Sequence, residues 1–155
     1  MKDQIGHKLR QLILRRFINL YPPFLGAGVK VRYLDDHLRE IRVSMKLTPL
    51  NKNYMGTQFG GSLYAMTDPF FALIVMENLG SEYVVWDKAA SIRFKRPGRG
   101  EVSVDFKVSD EELRAIRLEA DEKGRAYPTK TFRILAEDGS LVAEVDKTLS
   151  VKRKS

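Results

Sequence analysis

A carboxylate in an otherwise apolar segment is the feature of this sequence that most clearly suggests chemistry. Asp68 is the only acidic residue between Phe59 and Met76. Because an unpaired carboxylate is costly to remove from water, its place there needs a functional or structural reason. The pair Gly60-Gly61 opens the same segment, and glycines at a helix start expose backbone N–H groups and the positive end of the helix dipole. The segment therefore combines a proton acceptor with N–H groups that can bind an anion.

The elements that carry these residues follow from the local composition. Residues 51–58 are rich in turn-forming types and should form a loop. Residues 60–79 are apolar on nearly every face, which is typical of a helix buried within a protein. A membrane span is excluded because the apolar runs break at Thr67-Asp68-Pro69, and a span needs about 20 unbroken apolar residues. We therefore expect a core helix wrapped by a curved sheet.

The spacing of these residues resembles a known active-site motif. Asn53, the Phe59-Gly60-Gly61 step and Asp68 are spaced as in the motif of hotdog-fold thioesterases. The phenylacetate-type and human thioesterase-superfamily branches carry Asn, a His-Gly-Gly step and an Asp on the central helix. The stretch Ser91–Gly100 (SIRFKRPGRG) also resembles the strand and turn that follow that helix. The resemblance covers about residues 29–151. It is closest to a group of uncharacterised hotdog proteins, regarded as thioesterases, that carry Phe-Gly-Gly.

The resemblance implies an enzyme that hydrolyses acyl thioesters of coenzyme A or acyl carrier protein, without a cofactor. Asp68 would act as the general base for water, or as the nucleophile that forms an anhydride. The N–H groups of Gly60 and Gly61 would stabilise the oxyanion, and Asn53 would position water or the substrate amide. In hotdog dimers the glycine step and the acid at one substrate usually come from different subunits. The resemblance therefore also implies a homodimer or a dimer of dimers.

Other residues near the motif are candidates for substrate binding. Phe59 replaces the family histidine, so it can form an apolar wall but cannot polarise the thioester carbonyl. Thr57 and Gln58 are the nearest polar side chains, and the depth of an acyl pocket depends on Tyr64 and its neighbours. A net charge of +7 favours an anionic ligand such as coenzyme A. The basic residues beside the Pro97-Gly98 turn are candidates for binding its phosphates: Lys95, Arg96 and Arg99.

Each of these assignments has a structural alternative. Asp68 precedes Pro69, so it could mark a helix kink and bind freed backbone groups or an arginine. Gly60-Gly61 could serve only close helix–sheet packing, and Asn53 could bond its own backbone in a turn. Asp87 is a weaker candidate, which a surface position explains better. At the level of function, the alternative is a non-catalytic hotdog protein that binds an acyl chain or an acyl thioester.

Composition bounds the remaining function classes. A chain of 155 residues is large enough for one domain with a hydrophobic core. The absence of cysteine excludes a disulfide scaffold, a thiol nucleophile and cysteine-ligated zinc. It fits a reducing compartment, and without a signal-peptide pattern we expect a cytoplasmic protein. His7 and His37 form no recognisable triad or metal site, and no nucleic-acid-binding motif is present.

Periodicity predicts the order of elements along the chain. An amphipathic basic helix over residues 3–21, for which a membrane-surface role is the less favoured interpretation, ends before Pro22-Pro23. A capping box at Ser109 and Glu112 begins a short helix that ends near Gly124. Alternating apolar and polar residues predict strands near 29–33, 41–47, 84–95, 102–108, 129–136 and 141–151.

This order predicts an α+β hotdog fold, in which a six-stranded antiparallel sheet wraps around one long central helix. We expect a single domain over residues 1–155. Its N-terminal helix and proline-rich turn should occupy residues 1–24, and the hotdog core residues 29–151.

Overall fold

The computed structural model of the chain describes residues 12–14 and 16–154. The part of the predicted N-terminal helix before residue 12 lies outside the described residues, as does His7. Residues 12–14 and 16–17 are helical and lead into a 3-10 turn at Ile18–Leu20. The two prolines then begin a helix of their own, α1 at Pro22–Ala27. Proline is favoured at a helix start because its missing N–H would have no acceptor there.

The predicted six-stranded antiparallel sheet is confirmed. Its strands lie in the order β1-β2-β4-β5-β6-β3, and every neighbouring pair is antiparallel. This order leaves β3, the second-longest strand, at one edge of the sheet. The bounds of the strands are Val29–Leu34 (β1), Glu40–Lys46 (β2), Tyr83–Phe94 (β3), Glu101–Lys107 (β4), Thr129–Ala136 (β5) and Leu141–Arg153 (β6).

The central helix is present, but a turn divides it into two pieces. Helix α2 spans Gly60–Ala65, helix α3 spans Phe70–Leu79, and Asp68 lies in the turn between them. The turn forms because Pro69 cannot donate a backbone hydrogen bond and its ring crowds the preceding turn. The Thr67 hydroxyl closes it by donating to the Tyr64 carbonyl at 2.8 Å. The alternative in which Asp68-Pro69 marks a helix kink is therefore confirmed. Because of this kink, Asp68 belongs to neither helix.

Helix α3 anchors the core through aromatic packing. Phe70 and Phe71 are buried at its start, and their rings approach those of Phe24, Phe106 and Phe132 with centroid separations of 5.1 to 5.6 Å. Each buried ring stabilises the fold by about 1.5–3 kcal/mol. Among the described helices, none combines the length and the apolar character needed to cross a membrane.

The last helix of the chain binds the C-terminal end of α3. Helix α4 spans Asp110–Lys123, and its predicted capping box is confirmed by two hydrogen bonds between Ser109 and Glu112, of 2.7 and 3.1 Å. The Arg117 guanidinium donates to the carbonyls of Asn78 and Leu79 at 3.2 Å each. These carbonyls belong to the last turn of α3, which has no further helical donors for them. The position of α3 is thus fixed at both ends.

The outer face of the sheet carries a cluster of charges around Asp146. Its carboxylate accepts hydrogen bonds from Arg93 at 2.5 Å and from the Thr131 hydroxyl at 2.6 Å. The Arg93 hydrogen bond, helped by Thr131, lowers the pKa of Asp146 from 3.8 to about 2. A carboxylate with a lowered pKa in the folded state stabilises the protein above its unfolded pKa. That stability is lost as the pH falls through the folded value.

We therefore expect part of the acid sensitivity of this protein, between about pH 4 and pH 2, to come from Asp146. Asp146→Asn should lower the free energy of unfolding at neutral pH, and that free energy should then fall less steeply over this window. Urea unfolding followed by circular dichroism at pH 7, 4, 3 and 2 measures both effects. Arg93→Met should act in the same way because it removes the same bond. Parallel loss of stability in the wild type and both variants would contradict this account.

Candidate active site

A buried lysine marks the centre of the candidate site. Lys147 lies on β6 in the inward-facing series Val145, Lys147, Leu149 and Val151, and its side chain is fully buried. Lysine is almost never fully buried unless it is paired. The Nζ atom of Lys147 lies 2.8 Å from Oδ1 of Asp87 and 3.6 Å from Oδ1 of Asp68. The structure thus brings together the two acids that the sequence singled out separately.

The ammonium group of Lys147 retains hydrogen-bonding capacity. Asp87 is only 2.8 Å away but does not meet Nζ at the angle of a directed hydrogen bond, and Asp68 at 3.6 Å lies beyond hydrogen-bond distance. The group is therefore held mainly by charge. The ring of Tyr64 lies 5.6 Å from Nζ, measured to its centroid, which is within reach of a cation–π interaction. Tyr64, expected to line a pocket, thus packs beside the charged centre.

A β-bulge directs Asp87 toward this lysine. The register between β3 and β6 shifts between Asp87 and Ala89, so Lys88 is the extra residue. Asp87 lies opposite Leu149, whose side chain faces the core, whereas Ala89 lies opposite Thr148. Bulges of this kind re-aim side chains at the rims of sheets and next to active sites. The displaced Lys88 places its ammonium 3.7 Å from the ring centroid of Tyr127. Asp87 is exposed, as expected for a surface acid, and its carboxylate also pairs with the buried Lys147.

Asp68 and Asp87 lie at the edge of an apolar groove. The groove has a volume of about 630 Å³, and both acids line it. The Asp68 side chain is 54% exposed and that of Asp87 34%, so both carboxylates can meet solvent or a ligand. The walls are contributed by residues 13–14 and 17–24, by α3 and by β3. Their apolar residues include Phe17, Phe24, Leu73, Met76, Val85 and Trp86. The arrangement places partly exposed carboxylates beside a volume suited to a hydrophobic chain.

The glycine step lines a different cavity. This second cavity has a volume of about 470 Å³, and its lining includes Phe59, Gly61 and Ser62 but not Asp68. A Cβ atom on Gly61 would lie 2.5 Å from the Phe59 ring, and one on Gly60 would lie 3.1 Å from the Phe94 ring. Close packing therefore explains both glycines. It does not remove their backbone N–H groups from a role in binding, because the first turn of a helix provides no acceptors for them.

The polar residues of the preceding loop are committed to local structure. Oδ1 of Asn53 accepts hydrogen bonds from the backbone N–H groups of Met55 and Thr57, and its Nδ2 donates to the Thr57 hydroxyl at 3.0 Å. Gln58 is buried, and its Nε2 donates to the carbonyls of Met45 and Gly100. Asn53, Thr57 and Gln58 line neither cavity. The contacts of Asn53 are those expected if it forms a turn with its own backbone.

The basic turn borders the glycine side of the molecule. Gln58 donates its backbone N–H to the Gly98 carbonyl at 2.9 Å, and the Phe94 ring packs on Gly60. All three basic candidates, Lys95, Arg96 and Arg99, are exposed, and Lys95 lies 3.6 Å from a Glu144 carboxylate oxygen. The turn therefore presents positive charge near the second cavity, which also contains Lys52.

Lys147 was missed at the level of sequence, although the pattern that reveals it is present. Residues 143, 145, 149 and 151 are all apolar, so strict alternation places Lys147 on the apolar face of β6. A lysine in such a series is unusual enough to be a candidate for function. Asn51 was also missed. Its buried side chain joins β2 to α1 by donating to the carbonyls of Lys46 and Ala27.

Comparison with known proteins supports the fold. The family described as a domain of unknown function, DUF4442, matches residues 10–151. No protein of curated function matches the chain. A Pseudomonas aeruginosa protein of unknown function, described as a probable thioesterase, is 21% identical with a TM-score of 0.82. The match covers 93% of this chain and 96% of that one.

Two further solved structures have the same fold at lower identity. A Haemophilus influenzae thioesterase is 15% identical with a TM-score of 0.64, over 88% of this chain and 86% of that one. The Escherichia coli PaaI protein of the phenylacetic acid degradation operon is 16% identical with a TM-score of 0.61, over 96% and 95%. The hotdog fold class is thus shown, whereas the resemblance to proteins that carry the Phe-Gly-Gly form of the motif stays a prediction.

Proposed function

The chain belongs to the DUF4442 family of domains of unknown function, and we propose that this member is an acyl-thioester hydrolase. The observation that carries the proposal is the partly exposed Asp68 carboxylate at the edge of an apolar groove of about 630 Å³. The solved structures with this fold include proteins described as thioesterases, which supports the same class of reaction. The leaving group would be coenzyme A or acyl carrier protein.

Asp68 supplies the chemistry in this proposal. As a general base it removes a proton from water as the water oxygen adds to the thioester carbonyl. The C–S bond then breaks, and the proton passes from Asp68 to the leaving thiolate to give the free thiol. As a nucleophile it first forms an anhydride, which water then hydrolyses. Both routes need a carboxylate that reaches solvent and substrate, and the 54% exposure of the Asp68 side chain meets this need. The N–H groups of Gly60 and Gly61 stabilise the oxyanion.

The two ends of the substrate require different surroundings. The apolar groove suits the acyl chain, and its volume lies within the range of about 300–1,000 Å³ typical of small-molecule sites. The anionic leaving group suits the basic turn that carries Lys95, Arg96 and Arg99, next to the glycine step. The division of charge between the two regions would orient the thioester. The lack of cysteine fits work in a reducing compartment, and a cytoplasmic location stays a prediction.

We propose that the complete site forms between two copies of the chain. Gly61 lies in the first turn of α2, whereas Asp68 lies in the turn beyond the end of that helix. Groups that act on one carbonyl must approach it to about 3–3.5 Å, and in one chain these two line different cavities. The edge strand β3 can pair with its symmetry mate, because most of its residues are exposed and its outer edge is unpaired. Such a homodimer would bring the acid of one copy to the glycine step of the other.

A non-catalytic acyl-binding protein is the alternative, and Phe59 favours it. The Phe59 ring packs against Gly61 at the position where the family motif carries a histidine. A phenyl ring offers no hydrogen bond to a thioester carbonyl. The groove and the hotdog fold would serve a binding protein equally well. Turnover in solution separates the two functions.

The first test replaces the proposed base. Asp68→Asn preserves the shape of the side chain, so it should leave the fold intact and lower kcat by about 100-fold or more. Thiol release from a series of acyl-coenzyme A thioesters of increasing chain length measures the effect. Asp110→Asn makes the same chemical change at an exposed position that lines neither cavity, and it should retain the wild-type rate. A wild type that binds but hydrolyses none of the thioesters would establish the binding function instead.

The second test removes one N–H group without disturbing the helix. Gly60→Pro is compatible with the backbone because Gly60 begins α2, and Phe59 before it is extended at φ −67° and ψ 128°. Gly60→Ala is the matched control, since it adds a Cβ atom against the Phe94 ring but keeps the N–H group. If that group stabilises the oxyanion, the proline variant should be about 100- to 1,000-fold slower than the alanine variant. Equal rates would remove the Gly60 N–H from the mechanism.

The same variant also tests the shared site. Mixed dimers of Gly60→Pro and Asp68→Asn chains contain one site with both groups intact. After subunit exchange, the mixture should regain about a quarter of the wild-type activity if dimers form at random. Light scattering should give at least twice the monomer mass. A monomer at micromolar concentration, or an inactive mixture despite exchange, would contradict the shared site.

The third test restores the donor that the family motif carries. Phe59→His should raise kcat, because the imidazole can donate a hydrogen bond to the carbonyl and is smaller than the phenyl ring. Phe59 is 54% exposed, so the exchange should cost little stability. Phe59→Leu is the control for loss of the aromatic ring without gain of a donor. A folded Phe59→His enzyme that is no faster than Phe59→Leu would show that this chain polarises the carbonyl without a donor at position 59.

A further inference from the structure

We propose that Lys147 is a positioning residue that holds Asp68 in its working orientation, with Asp87 as the anchor of the lysine. The inference rests on the proposed role of Asp68 and adds to it two groups that the motif does not contain. Lys147 lines neither cavity, so it acts through Asp68 rather than on the substrate.

The distances from Nζ of Lys147 indicate different roles for Asp87 and Asp68. Asp87 lies 2.8 Å from Nζ and carries the shorter contact, whereas Asp68 lies 3.6 Å away and is held more loosely. The longer contact is made by Oδ1 of Asp68, which leaves Oδ2 for the proton of a water molecule. An acid bound as tightly as Asp87 would have its charge satisfied by the ammonium and would be a poorer base. The arrangement thus orients the Asp68 carboxylate and leaves one of its oxygens available to act as a base.

Three separate departures from regular structure converge on this lysine. Pro69 interrupts the central helix and places Asp68 in a turn. A bulge in β3 turns Asp87 toward the core. Lys147 itself occupies an inward position of β6 where every other inward neighbour is apolar. Each departure weakens a local element, and all three serve the same contact.

Stability alone gives a weak reason for such a lysine. A buried ion pair pays for the desolvation of its charges, and replacement by apolar residues of similar size is often neutral or stabilising. At this position the neighbours Val145 and Leu149 would accept an apolar side chain without leaving a polar group inside the core. Orientation of a carboxylate is a task that an apolar side chain cannot perform.

The decisive variant is Lys147→Met, in which an unbranched apolar side chain fills the same space. We expect the protein to fold and kcat to fall by about 100-fold, as for a misplaced catalytic group, with KM within about twofold of the wild-type value. Lys147→Arg should recover part of the lost kcat because it restores the charge. Lys107→Met removes a lysine that pairs with Glu40 on the exposed outer face, and it should retain the wild-type rate.

A double-mutant cycle tests whether Asp87 works through Lys147. Asp87→Asn alone should lower kcat, because the ammonium is then free to close onto Asp68 and occupy the base. In the Lys147→Met background the same change should have little further effect. Independent, additive losses would overturn the assignment of Asp87 as the anchor. A folded Lys147→Met enzyme with the wild-type kcat, or with a raised KM alone, would overturn the whole inference.

A spectroscopic readout keeps this inference separate from the proposed reaction. In protein labelled with ¹⁵N-lysine, the Lys147 ammonium should give a slowly exchanging signal that Lys147→Met removes. Asp68→Asn and Asp87→Asn should both shift it, and Asp87→Asn should also speed its exchange with water. If no thioester is hydrolysed but these responses occur, the hydrolase proposal fails and the positioning arrangement stands. If the signal exchanges as fast as that of Lys107 and ignores both variants, the arrangement is absent, whatever the activity.

Discussion

The buried ammonium of Lys147 is the charge around which Asp68 and Asp87 are arranged. A cation on the apolar side of a sheet needs carboxylates within a few ångströms, and the chain supplies them from two different elements. The turn at Pro69 interrupts a helix and the bulge at Lys88 interrupts a strand pairing. Both interruptions place a carboxylate near the buried ammonium, which accounts for them. The apolar groove borders the same contact, because Asp68 in this turn and Asp87 at the bulge both line it.

Packing can account for the glycine step but not for Asp68. A Cβ atom on Gly61 would displace the Phe59 ring, and one on Gly60 would contact the Phe94 ring tightly, so close packing is an alternative reason for both glycines. Asp68 has no comparable packing explanation, since its carboxylate is half exposed and could be replaced without leaving a cavity. The acid is therefore the stronger evidence for function, and the glycines add to it only through their N–H groups.

Much of the fold could be predicted because it depends on periodicity. Alternation located all six strands to within a few residues, and the capping box located α4. The break in the central helix was visible in Pro69 only as an alternative, because sequence does not show whether tertiary packing holds a helix together across a proline. The bulge at Lys88 has no sequence signature, so the direction of Asp87 could not be predicted. Lys147 could have been, since alternation on β6 applies to it as to its neighbours.

The positions of charge and of apolar surface impose a direction on any ligand that uses both cavities. Negative carboxylates border the apolar groove, and positive residues border the glycine step, so an amphiphilic anion would place its chain in the first and its phosphates at the second. Within one chain Asp68 and Gly61 line different cavities. In the dimer proposed above, a two-fold axis at the exposed β3 edge would repeat every contact between the copies, because an isologous interface uses the same surface of both. The proposed dimer would therefore contain two equivalent sites, each of which would combine the acid of one copy with the glycine step of the other.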